Sequence, residues 1–134
     1  MKSFESKPTE IQSSGEEIYS FLSDFNNFGK LMPPEISNWK STTYECSFTI
    51  SGMADLSMSF GECTPNQLIT MKADGKNPFD YFLEIHLEKI EERLTHTVLV
   101  FHADLNPMLV MVASNPLKNF VNLLVETLKH KMES

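Results

Sequence analysis

The chain has 134 residues, 41% hydrophobic and 22% charged, which is ordinary globular usage and leaves room for a single domain over 1–134 rather than two. Eleven basic against 18 acidic residues give a net charge of −7, and without a Lys/Arg cluster to meet phosphates, no nucleic acid and no anionic membrane surface is expected as a partner. Cys46 and Cys63 are too few for a disulfide framework, MKSFESKPTE has no apolar signal-peptide core, and no apolar run approaches the roughly 20 residues of a membrane span, so a cytoplasmic protein without integral membrane association is expected.

Residues 2–12 (KSFESKPTEIQ) loosely alternate, and Pro8 suits them to an edge strand, where a missing N–H breaks no ladder. Ser14 followed by Glu17 fits a capping box: the hydroxyl satisfies a free N–H of the first turn and the Glu side chain reaches back to the cap. Ile18, Phe21, Leu22 and Phe25 then recur at helical spacing, predicting a short amphipathic helix over 15–25. A second short turn over 26–31 presents Phe28 and Leu31. Met32-Pro33-Pro34 ends it, because a residue before proline is driven out of the helical region.

From Trp39 to Leu105 the period becomes two. Tyr44, Cys46, Phe48 and Ile50 form one apolar set, and Ala54, Leu56, Met58 and Phe60 the next. Ile69, Met71 and Ala73 follow, then Tyr81, Leu83, Ile85 and Leu87. Residues 94–105 are apolar on both parities, which leaves open whether His96 and His102 face inward or outward. Turn signals at Ser51-Gly52, Pro65-Asn66, Asp74-Gly75 and Glu91-Glu92 separate the strands, and connections this short join antiparallel neighbours.

Residues facing each other across a ladder share a face. A two-residue turn at 51–52 would set Phe48 opposite Asp55, whereas a three-residue loop at 51–53 pairs Ile50 with Ala54, Phe48 with Leu56, Cys46 with Met58 and Tyr44 with Phe60. A three-residue loop with a glycine bulge is therefore predicted. The same register sets Cys63 opposite position 41, five residues from Cys46 and about 17 Å away, so both thiols are expected to be free.

Asn106-Pro107 reads as a cap followed by proline at the first helical position. Leu109, Val112, Ala113, Leu117, Phe120, Val121, Leu124, Val125 and Leu128 give a broad apolar stripe, and Lys129, His130 and Lys131 suit the dipole of the last turn. Asn115-Pro116 repeats the cap signal, which predicts a kink or restart there. The predicted fold class is thus α+β: an edge strand, two short helices, a run of antiparallel strands, and a long helix covering the sheet's apolar face.

This order resembles the helix-grip fold of the START-like superfamily, also called SRPBCC, which includes plant pollen-allergen and polyketide-cyclase relatives. The resemblance spans essentially the whole chain. It rests on element order, on EEIYSFLSDFNNFGKLMP and on the ADLNPML approach to the last helix. GKLMPPEISNWKSTTYECSFTISGMA likewise looks like uncharacterised bacterial members. What the resemblance implies is a cavity between sheet and helix that holds an apolar small molecule such as a lipid, quinone or polyketide-like compound. On this sequence its walls would be Phe48, Leu56, Met58, Phe60, Met71, Leu83 and Ile85 from the sheet, closed by Leu109, Met111, Val112, Phe120 and Leu124 from the helix. Met111 and the break at Pro116 would be the gate. The bland reading of each is a filled core, with the Met and Phe residues packing gaps.

Motifs for chemistry are sparse. H-E-x-x-H, C-x-x-C, G-x-S-x-G and Gly-rich phosphate loops do not occur, so no catalytic residue, metal ligand or cofactor is assigned. His86 lies between Glu84 and Glu88 on one strand face, and His96 and His102 on the next strand are its possible partners, though a mixed charge row is usually a solvated face. Asp24, Glu35 and Asp104 sit at predicted element ends, Asp104 as a cap. A cyclase- or dehydratase-type enzyme would need an inward polar group, for which Tyr44, Thr70 and Tyr81 are the candidates. A protein-interaction or chaperone-accessory module would instead present Trp39, Phe79, Phe82 and the 32–34 loop to a protein partner.

Overall fold

The structure, a computed structural model, describes residues 1–134. In chain order it comprises β1 (Lys2–Glu5), β2 (Thr9–Ile11), α1 (Gly15–Leu22), α2 (Phe25–Phe28), a 3₁₀ turn (Gly29–Leu31), β3 (Ile36–Ser41), β4 (Glu45–Ile50), β5 (Ala54–Thr64), β6 (Leu68–Ala73), β7 (Tyr81–Glu91), β8 (Leu94–Ala103) and α3 (Pro107–Glu133). The strands form one curved antiparallel sheet in the order β1-β8-β7-β6-β5-β4-β3, with β2 also paired to β8. Pro8 divides the predicted edge strand into β1 and β2, and both pair with β8, with a one-residue shift of register between them: Phe4 is opposite Phe101 and Ile11 opposite Thr95.

The local signals act largely as read. Ser14 Oγ accepts from the Glu17 N–H at 3.1 Å, while the Glu17 carboxylate turns to Ser13 Oγ and to Arg93, 2.6 Å away, instead of to the cap N–H. The first helix ends at Leu22 rather than 25 because Asp24 caps a new one, accepting from Asn26 N. The β4–β5 hairpin has the predicted register, Ile50 opposite Ala54 and Cys46 opposite Met58, with Gly52 at φ 74° in its loop. Both cysteines are free.

Three expectations are corrected. Strand β3 was not anticipated, because ISNWKS does not alternate. A bulge at Asn38 (φ 56°) places Asn38 and Trp39 opposite the single residue Phe48, so Ile36 and Trp39 turn inward despite their odd spacing. Tyr44 lies in the turn before β4 and is 75% exposed, so the inward set of that strand begins at Cys46. The long helix neither breaks nor restarts at Pro116. The carbonyl that Pro116 leaves without a helical donor belongs to Val112, which is exposed to solvent rather than buried in the core.

Helix α3 crosses β1, β2 and β8 and buries Ala113, Leu117, Phe120, Val121, Leu124, Val125 and Leu128 against the sheet. By length and composition it is apolar enough to span a bilayer, but this stripe is committed to the core. Its polar flank reads the backbone of residues 5–12. Lys118 Nζ donates to Glu5 O, Asn122 Oδ1 accepts from Lys7 N, Lys129 Nζ donates to Glu10 O, and Glu133 Oε2 accepts from Gln12 N.

Candidate functional site

The apolar faces of sheet and helix meet beneath α3, and an aromatic chain fills the space. Trp39 stacks on Phe48 (centroids 5.5 Å apart), Phe48 on Phe120 (6.4 Å), Phe120 meets Phe101 edge-on (6.4 Å), and Phe101 stacks on Tyr81 (5.4 Å). Phe48, Leu56, Met58, Met71, Leu83, Ile85, Phe120 and Leu124 come together here as contiguous core. Phe60 is half-buried and stacks on Phe25, 4.3 Å away, under α2 rather than α3. Leu109 is half-buried beside Phe79 and Leu105.

Met111 and Val112 do not close the space: they are 85% and 61% exposed. At about 100° per residue, the stripe running through Ala113, Leu117 and Leu124 carries them round to the solvent side. Met108 joins them there at 76%. The other surface patch expected from the sequence is dispersed, since Trp39 stacks on Phe48, Phe79 packs edge-on against Tyr81 and Phe82 stacks on His102.

Sheet and helix part company near Pro116. A cleft of about 240 Å³ opens between the far end of the β3–β4 hairpin and α3, lined by Glu35, Ile36, Ile50, Ser51, Asn115, Pro116, Asn119 and Phe120. Ile36 and Ile50 are paired across the ladder, and Ser51 N–H to Glu35 O (2.9 Å) and Met53 N–H to Ile50 O (3.0 Å) hold the hairpin end in shape. From the helix, positions 115, 116, 119 and 120 project on one face. The floor is apolar. Asn115, Asn119, Glu35 and Ser51 stand at the rim, where they supply amide, carboxylate and hydroxyl groups. Of the residues predicted from sequence, Phe120 lines this cleft and Phe48 stacks behind it. Ile36 and Asn119 were missed because β3 has no alternation and a polar helix position resembles ordinary surface.

The polar candidates resolve differently. Tyr81 is buried, and its hydroxyl donates to Ser57 O at 2.6 Å and lies 3.1 Å from Asn77 Oδ1, so it clasps β5 to the loop before β7. Burial pushes its hydroxyl up from the ordinary phenol value. Thr70 lies on the outer face, opposite Glu84. His96 is opposite Glu88, and His102 Nε2 lies 2.7 Å from Glu84 Oε1, to which His86 Nε2 also approaches at 3.5 Å. Both strands' histidines thus face outward.

No family model and no curated protein matches the chain. Solved structures do. A crystal structure from Thermus thermophilus is similar with a TM-score of 0.76 at 12% identity, covering 98% of this chain and 97% of that one. A START superfamily protein from Mycobacterium smegmatis matches with TM-score 0.69 at 16% identity over 98% and 97% of the two chains. The solution structure of an Aha1 dimer from Colwellia psychrerythraea matches with TM-score 0.64 at 21% identity over 99% and 97%. At these identities the likeness shows the fold, which is START-like.

Proposed function

We propose that this START-like domain binds a small, mainly apolar molecule in the cleft between the β3–β4 hairpin and α3. The observation that carries the reading is the cleft's composition: Ile36, Ile50 and Phe120 form an apolar floor beside the Pro116 ring, and polar groups at one rim can orient a ligand. At about 240 Å³ it lies below the roughly 300–1,000 Å³ of drug-sized sites, which favours a compact ring system with a hydrogen-bonding end. A longer lipid- or quinone-like ligand would enter by turning Phe120 aside. That movement would bring Phe48, Leu56 and Met58 into the wall and use the segment before Pro116 as the moving side. Two free thiols support a reducing compartment such as the cytoplasm.

Native mass spectrometry of the purified protein, with organic extraction of anything bound, tests the reading. A co-purifying apolar mass is expected, and Asn119→Trp, which fills the rim from an exposed position, should reduce binding at least tenfold with the melting temperature unchanged. A clean apo mass with no thermal shift across a panel of phenols, quinones and fatty acids sinks the reading. A second reading rests on Met108, Met111 and Val112, whose exposure suits a protein contact. It expects Met111→Lys to change the sedimentation of a complex and not ligand binding.

A further inference from the structure

On the outer face of the sheet, away from the cleft, Ser3, His102 and Glu84 form a continuous hydrogen-bonded relay. His102 Nε2 lies 2.7 Å from Glu84 Oε1, and His102 Nδ1 lies 2.8 Å from Ser3 Oγ. A carboxylate only accepts, so the ring proton sits on Nε2. Nδ1 then carries the lone pair of the neutral ring, and the Ser3 hydroxyl donates to it. Three strands fix the geometry: Ser3 of β1 is opposite His102 of β8, which is opposite Phe82 of β7, with Glu84 two residues further along. Phe82 stacks on the imidazole (centroids 4.4 Å, 21° between planes) and holds its plane. Ser3 itself is exposed.

We propose that Ser3 is an activated nucleophile that takes the acyl group of an activated aryl ester, with His102 as its base and Glu84 as the residue that positions and pairs with His102. A serine–imidazole–carboxylate relay is recognised by geometry and roles rather than by sequence order. In the step, Ser3 Oγ bonds to the carbonyl carbon while its proton passes to His102 Nδ1. The imidazolium is held by Glu84, and collapse of the adduct breaks the ester C–O bond. The phenolate leaves as an anion and takes the proton from Nδ1. Water, deprotonated by the same nitrogen, then cleaves acyl-Ser3 to the carboxylic acid and restores the hydroxyl. An aryl leaving group suits the site because it departs with little help from an acid. A groove of about 870 Å³ shares Phe82 and Glu84 with the relay; Phe82 and Leu68 are its apolar part on this face, beside Thr70, Lys72 and Glu62, and an aryl group would lie against them. The neighbouring charged groups are His86 beside Glu84, Glu5 two residues from Ser3, and Lys72 opposite Phe82.

The test is covalent. Full-length protein is treated with a fluorophosphonate reporter and digested, and p-nitrophenyl acetate turnover is followed in parallel. The expected adduct is on the peptide containing Ser3; Ser3→Ala abolishes it, and His102→Gln slows labelling roughly 100-fold, the usual scale of a lost general base. Glu84→Gln offers an amide N–H to Nε2, which moves the ring proton to Nδ1. It should slow labelling at least tenfold and reverse the tautomer read from the ¹⁵N shifts of His102, with the melting temperature retained. Labelling elsewhere than Ser3, equal rates in the Glu84→Gln protein, or an Nδ1–H tautomer in the wild type would overturn the proposal.

Discussion

Gly29 has an ordinary helical backbone (φ −58°), yet a β-carbon there would sit 2.3 Å from Nε1 and 2.6 Å from Cε2 of Trp39. The indole cannot retreat: it stacks on Phe48, tilts against Phe28, and donates from Nε1 to Ser41 Oγ, which in turn donates to Asn26 Oδ1. Gly29→Ala should therefore cost about 1–3 kcal/mol, as overpacking does, read as a lowered denaturation midpoint with a shifted Trp39 emission. The two thiols divide as sharply. Burial pushes the Cys46 thiol up to about 12, whereas Cys63 is exposed. An aromatic disulfide reagent should titrate one thiol in the native protein and two in denaturant. That both are free follows from strand register, which residue spacing supplies. The Gly29–Trp39 contact was not legible, because it joins a helix end to a strand whose bulge leaves no periodic trace.

Among the elements, α3 shows what propensity alone misjudges. Asn106 caps it as expected, accepting from Leu109 N at 2.9 Å, but Pro116 sits inside a continuous helix. The residues on its C-terminal side bury most of the stripe and hold the helix to the sheet, and that packing outweighs one lost hydrogen bond. Pro116→Ala should raise stability by about 1–3 kcal/mol, seen as a higher melting temperature. If the segment before Pro116 is the moving wall of the cleft, the same variant should slow ligand entry. The short helices and the β4–β5 hairpin were legible because caps, prolines and alternation agree there. The cleft was not, since a hairpin end and a helix face meet only in three dimensions, and Met111 and Val112 look like stripe residues until the helix is oriented.

Across the whole molecule, two exposed carboxylates tie distant segments and contribute to the response to acid. The Arg93 guanidinium beside Glu17 holds that carboxyl below its ordinary 4.5, linking α1 to the β7–β8 turn. The Gln12 N–H, then Lys129, do the same for Glu133 at the end of α3. A depressed carboxylate contributes stability above its unfolded pKa and loses it as pH falls through the folded value. The urea midpoint should thus hold level from pH 7 towards 5.5 and decline below about 4.5, with a shallower decline in Glu133→Gln. The same terminus has a consequence for synthesis. Lys118, Asn122, Lys129 and Glu133 grip the backbone around β1 and β2, and β1 and β2 pair with β8, so these two strands wait for β8 and α3, which are made about a hundred residues after them. Until α3 leaves the ribosome the nascent chain has an uncovered strand edge and an apolar sheet face, the condition in which chains pair with one another instead of with themselves. Premature termination within α3 should therefore yield aggregate rather than a smaller folded protein.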